Sequence, residues 1–211
     1  MFNLLQRDLL IWNSLRASPF LYFFIFISNA LINPNILNYY LILWYIAVFF
    51  SNNVLKNVIF SSIYKIFNLK NPYILGIGHR PNGATNCGVF LNLDNKISSS
   101  FGMPSGHSQL AWAVSTFLIL YLLDDNNKIN IKNNNKNNTK KNKNTIIKIL
   151  TNKNYKIFII IILLLFALLV SFSRVYVDKC HTIQQVIMGG LFGILSGIIG
   201  FYGYKLINNY L

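Results

Sequence analysis

The sequence contains no glutamate, and its acidic residues number five: Asp8, Asp94, Asp124, Asp125 and Asp178. A hydrolase with paired carboxylates needs two acids flanking one bond, which this chain can hardly assemble. A two-metal hydrolase needs a cluster of oxygen ligands and is disfavoured for the same reason. Metal-free chemistry is therefore favoured, and no metal or cofactor is expected. Charge of either sign is scarce: 11% of residues are charged, against 54% hydrophobic and 15% aromatic, which excludes an ordinary soluble domain. Two cysteines, Cys87 and Cys180, are too few for a disulfide framework or a zinc site. Histidine is limited to His79, His107 and His181.

Long apolar runs are abundant, and they predict an all-α, polytopic membrane helix bundle of about five to six transmembrane helices. Residues 1–19 read as an N-terminal amphipathic segment, with Leu4, Leu5, Leu9 and Trp12 at helical spacing and Arg7, Asp8 and Arg16 among them. Residues 20–211 read as the membrane domain. Phe20–Ile32 ends at Asn33-Pro34-Asn35, a turn signal. Leu37–Phe50 follows, and Val54–Phe67 either continues it or forms a separate short span. After a polar loop at 68–106 come helices over His107–Leu123, with Ser105 as N-cap, Ile157–Phe172 and Thr182–Tyr204. Gly189, Gly193 and Gly197 lie on one face of the last helix, for packing within the chain or against a second copy, so a homo-oligomer stays open.

The net charge of +14 does not point to nucleic acid, because it is concentrated in an Asn/Lys tract at about 124–155, expected to be disordered. Lysine beside membrane helices sets orientation or meets anionic membrane lipid, and here it places that loop in the cytosol. The sequon Asn137-Asn138-Thr139 in it is then expected to stay unmodified.

Three short segments carry the chemistry: His79-Arg80-Pro81, Pro104-Ser105-Gly106-His107, and Ser173-Arg174 followed by His181. Threading the helices brings all three to one membrane face, opposite the lysine tract, hence lumenal or extracytoplasmic. Cys87 and Cys180 fall on that face too. They are either free thiols or, if the compartment is oxidising, a bond between the first loop and the last helix.

Arginines fork onto phosphate oxygens, so Arg80 and Arg174 are candidate phosphate ligands. Ser105 and the backbone N–H groups of Gly106 and His107, at a helix N-terminus, can hold the same anion. His107 can protonate a leaving oxygen, and His181 can attack phosphorus to form a phosphohistidine. His79 reads as an interfacial or capping residue.

These segments resemble the type-2 phosphatidic acid phosphatase superfamily over about residues 50–204. Its pattern is Lys, six residues, Arg-Pro; then Pro-Ser-Gly-His; then Ser-Arg, five residues, His, three residues, Asp. The resemblance implies an all-helical core, a phosphohistidine mechanism, no metal requirement and a lipid phosphate or diphosphate as substrate. It also marks departures. The family lysine falls at Tyr73, so the resemblance points to Lys56, or behind it Lys70, for that role. Six residues, not five, separate Arg174 from His181. The family aspartate falls at Gln185, which can still orient the His181 imidazole but supplies no charge; Asp178 is the other candidate for that task. Gln185, with Gly102-Met103-Pro104-Ser105-Gly106-His107-Ser108-Gln109, is most similar to dolichyl-diphosphatases. The alternatives to a hydrolase are a lipid phosphotransferase and an inactive lipid-binding protein of the same fold.

Overall fold

The computed structural model of the chain describes residues 11–67, 79–85, 87–89, 96–124 and 153–210. Lys70, Tyr73, the sequon at Asn137 and most of the Asn/Lys tract lie outside them, as do residues 1–10. Among the described residues the regular secondary structure is helical, with no strand beyond an isolated antiparallel bridge between His79 and Phe101.

Five helices follow one another: α1 Ser18–Ile32, α2 Ile36–Ile66, α3 Gly106–Leu123, α4 Lys153–Val177 and α5 Ile183–Tyr210. Residues 11–16 add a short helical stretch ahead of α1. α2 to α5 are each long and apolar enough to cross a membrane. α1, with 15 residues, spans about 22 Å and is shorter than the usual crossing. Pro19 opens α1, and the turn at Asn33-Pro34 closes it. Asn35 caps α2, its side chain accepting from the Asn38 N–H at 2.9 Å. The segment 54–67 is not a separate span: α2 runs through it by way of a π-helical turn over Leu55–Phe60. A second π-helical turn, Ser173–Val177, ends α4. It absorbs the extra residue between Arg174 and His181, since a π-turn accommodates one residue more than an α-turn.

Connectivity puts the start of α1, the middle of α2, the start of α3, the end of α4 and the start of α5 at one end of the bundle. α3 is its axis, packed most extensively on α5 and next on α4. Gly189, Gly193 and Gly197 face Ser105, Gln109 and Ala113 in turn, so the two helices run parallel in register at backbone contact. This glycine stripe is therefore used inside the chain. Farther from that end, Trp44, Phe117, Phe201 and Tyr204 form the core, Trp44 and Phe117 with ring centroids 4.9 Å apart. Interhelical polar bonds supplement the packing: Trp112 donates to Ser171 Oγ at 3.1 Å, and Tyr40 donates to the Gly200 carbonyl at 2.7 Å. The outward sides of α4 and α5 are apolar, with Phe158, Leu165, Leu168, Leu191 and Ile199 exposed. A surface of this kind is solvated by lipid.

At Gly197 an added Cβ would lie 2.6 Å from Thr116 Cβ and 2.7 Å from the Ala113 carbonyl oxygen. Gly197→Ala is therefore expected to lower the melting temperature in detergent, the overpacking cost of about 1–3 kcal/mol exceeding the gain of about 1 kcal/mol in helix propensity. An unchanged or raised melting temperature would show that α3 and α5 are not packed this way.

Candidate active site

At the shared end of the bundle lies a cavity of about 320 Å³. One wall is cationic and polar, made by Asn52, Lys56, Arg80, Gly106, His107 and His181. The other is apolar, made by Pro19, Phe49, Val89 and Leu110. Phe49 is 54% exposed on the bundle exterior, so the apolar wall reaches the lipid-facing surface. The three motif segments thus converge, together with Lys56 from the π-turn of α2.

His181 hangs on the backbone of Arg174: the N–H groups of Cys180 and His181 both donate to the Arg174 carbonyl, at 3.0 and 3.3 Å. Its ring is buried, with Nδ1 3.2 Å from Gln185 Oε1 and Nε2 2.8 Å from Arg80 Nη1. An arginine N–H only donates, so Nε2 accepts and Nδ1 carries the proton. The hydrogen-bond partners thus set the tautomer that leaves a lone pair on Nε2. Burial, and after it the neighbouring charges of Arg80 and Arg174, hold the His181 pKa well below its ordinary value.

Gln185 is fully buried and serves two purposes. Its Oε1 also accepts from the Thr182 N–H at 3.3 Å, while Thr182 Oγ1 accepts from the Gln185 N–H at 3.4 Å. This reciprocal pair is a capping box at the start of α5. Gln185 Nε2 donates to the His79 carbonyl at 3.3 Å. Gly102 makes room for the amide, which a side chain at that position would strike. Asp178 does not orient His181. It is taken by two arginines instead: Arg174 Nη1 at 2.6 Å and Arg16, whose Nε lies at 3.0 Å and whose Nη2 also binds.

Arg80 is buried and donates to Ser100 Oγ at 3.0 Å and to the Cys180 carbonyl at 3.2 Å. Burial, and then Arg174, lower its pKa to about 10, so it stays charged at neutral pH. Arg174 is fully buried and does not line the cavity; Nη1 holds Asp178, and Nη2 donates to the Cys87 carbonyl at 2.8 Å. Its Nε has no partner. Cys87 and Cys180 are joined by a disulfide, 93 residues apart in sequence, so the free-thiol reading is overturned. The two arginines cross this link: Arg80 reaches the carbonyl of Cys180, and Arg174 reaches that of Cys87. One covalent bond and two reciprocal hydrogen bonds therefore fasten the first loop to the α4–α5 turn.

His107 lies in the first turn of α3, its Nε2 3.0 Å from the Arg16 carbonyl. A carbonyl only accepts, so Nε2 carries the proton and Nδ1 is the nitrogen without a protein partner among the described residues. Ser105 occupies the N-cap position but makes no capping bond; its buried Oγ has no partner. The Ser105 N–H donates to the Gln185 carbonyl at 3.0 Å, linking the second motif to the third. Gly106 approaches α2 closely, so that an added Cβ would lie 2.9 Å from Asn52 Oδ1 and push on that side chain. His79 sits apart from the cavity, stacked on Phe101 at 5.0 Å, which agrees with its reading as a non-chemical residue.

Sequence reasoning missed Asn52 and Arg16. Asn52 Nδ2 donates to Gln109 Oε1 at 2.8 Å, locking α2 to α3 beside the cavity. A polar residue on an apolar helix was its signal. Arg16 gave none, as it read as an interfacial charge.

A family model, that of the PAP2 superfamily, matches residues 36–208. It extends the resemblance at both ends and supports a phosphatase-type activity. No curated protein and no solved structure matches the chain.

Reduction of the Cys87–Cys180 bond, or Cys87→Ser, is expected to destabilise the protein by roughly 2–4 kcal/mol. It is also expected to weaken binding of orthovanadate, a phosphate analogue, because both arginines lose a fixed anchor. Thermal melting and vanadate titration with and without reductant check this; identical curves would remove the disulfide from any role in the site.

Proposed function

Because the chain belongs to the PAP2 superfamily, we propose that it is an integral membrane phosphatase for a lipid phosphate monoester or diphosphate, with His181 as nucleophile. The observation that carries this reading is the double constraint on the His181 ring, with Nδ1 on the Gln185 amide and Nε2 facing Arg80.

A phosphoryl group entering the cavity would draw the Arg80 donors onto its oxygens and release the Nε2 lone pair. Lys56 and the N–H groups at the start of α3 add positive potential. Arg174, buried behind the cavity lining, adds its field without a direct contact. Nε2 attacks phosphorus while the bond to the leaving oxygen breaks. His107 Nδ1 takes up a proton as the anion binds beside it, and the imidazolium so formed gives that proton to the leaving oxygen while the Arg16 carbonyl on Nε2–H steadies the cation. Water then attacks the phosphohistidine, Nδ1 of His107 takes its proton, and phosphate leaves from Nε2. None of these steps draws on a metal.

Two features support a lipid as substrate: the apolar wall continuous with the bundle exterior, and the cationic wall facing it. The nucleophile narrows the class. A neutral amide polarises His181 less than a carboxylate does, so the site suits a good leaving group. A diphosphate supplies one, because its leaving group is itself a phosphate. This favours polyprenyl diphosphates, in line with the similarity to dolichyl-diphosphatases. The disulfide supports a site on the lumenal or extracytoplasmic face, with the lysine-rich loop in the cytosol.

Purified protein in detergent with EDTA is expected to release phosphate from a polyprenyl diphosphate faster than from phosphatidic acid. His181→Ala and His107→Ala are expected to lose this activity, whereas equal activity in both variants and the wild type would overturn the site. Gln185→Leu is expected to lower kcat by about 10–100-fold, as loss of an orienting hydrogen bond does. The pH dependence has a definite sign. The neutral His181 ring is the reactive form, and its lowered pKa keeps it neutral into mild acid. The acid limb of kcat/KM attributable to His181 is therefore expected below pH ~6.5, the ordinary histidine value; a limb at or above that value would contradict the assignment.

A further inference from the structure

We infer that Arg16, from the segment ahead of the family core, is a positioning residue that fixes the proton of His107. The inference rests on the proposed role of His107 as proton donor. Arg16 precedes the matched region at 36–208 and is only 5% exposed. Two parts of this one residue reach two parts of the site. Its carbonyl accepts the His107 Nε2–H at 3.0 Å. Its guanidinium binds Asp178, whose other oxygen accepts from Arg174 at 2.6 Å.

The two contacts depend on each other. The carbonyl belongs to a short helical stretch that Leu15 anchors in the core and that the ion pair with Asp178 ties at Arg16 itself. Loss of that tie removes the hold on the Arg16 side chain and loosens the carbonyl beside it, and with it the acceptor that selects the His107 tautomer. A neutral ring with its proton on Nδ1 would have no lone pair there to take the proton of the attacking water. The Arg16 anchor therefore keeps Nδ1 as the nitrogen that exchanges a proton with substrate and water. Sharing Asp178 has a second consequence. One carboxylate between two arginines leaves the group with net positive charge, whereas an isolated Arg174–Asp178 pair would be neutral. Arg16 thus holds Arg174 in place without cancelling its field at the phosphate.

The test is Arg16→Ala beside Arg16→Lys in the full chain. In Arg16→Ala the carboxylate of Asp178 keeps Arg174, so no buried anion is stranded. A melting transition and a size-exclusion profile in detergent like those of the wild type report that the fold is kept. With ¹⁵N-labelled histidine, and the His107 signal identified by its loss in His107→Gln, the wild type is expected to show a protonated Nε2 and an unprotonated Nδ1. Arg16→Ala is expected to shift His107 towards mixed tautomers, and Arg16→Lys, which restores one charged donor, to shift it back. Turnover of a polyprenyl diphosphate is expected to fall about tenfold in Arg16→Ala, more in kcat than in KM, as for a mispositioned proton donor. An unchanged His107 spectrum in folded Arg16→Ala overturns the inference. A wild type without turnover on any lipid phosphate overturns the phosphatase reading instead, and the nitrogen spectra still decide the role of Arg16.

Discussion

Buried positive charge is the constraint on which the rest of this site depends. Arg16, Arg80 and Arg174 are buried at one end of a membrane bundle, with Lys56 beside them, and a single carboxylate, Asp178, among the described residues there. Uncompensated charge of this kind is expensive inside a protein. It is tolerated because every arginine is held by oxygen: the Asp178 carboxylate, two carbonyls of the disulfide-linked cysteines, and Ser100. The surplus that remains is the complement of a multiply charged anion. Scarcity of acid in the sequence and cationic character in the cavity are the same fact seen at two levels.

In the proposed mechanism, hydrogen-bond direction divides the labour between two imidazoles. Arg80 can only donate, so His181 presents a lone pair at Nε2; the Arg16 carbonyl can only accept, so His107 presents Nδ1. The two rings therefore hold opposite tautomers, one suited to attack and the other to proton exchange. Gln185 makes the first arrangement possible while also capping α5, so a local folding signal and a chemical one share a single amide. π-helical turns contain both Lys56, in the middle of α2, and Arg174, at the end of α4.

Much of this was legible in the sequence, for identifiable reasons. Helices were read from apolar runs, and their order forced His107, Arg174 and His181 to one end. Gln185 was placed by the family resemblance, whose aspartate position falls there, four residues after His181 and on the same helical face. Other features were illegible because they depend on distant partners. Asp178 was a candidate for orienting His181, but Arg16, 162 positions away in sequence, claims it. Ser105 had the residue type of an N-cap, yet its hydroxyl is left without a bond. Whether 54–67 formed its own span depended on a π-turn that no local pattern announces. The capping box Thr182-Ile183-Gln184-Gln185 was readable from its spacing and would have explained the glutamine without reference to any family.

Trapping the covalent intermediate tests the central claim most directly. Acid-sensitive, base-stable label on the peptide containing His181, after a rapid quench with substrate carrying ³²P in its terminal phosphate, is the result this account predicts. Turnover without protein-bound label, or label on another residue such as Ser105, would contradict it.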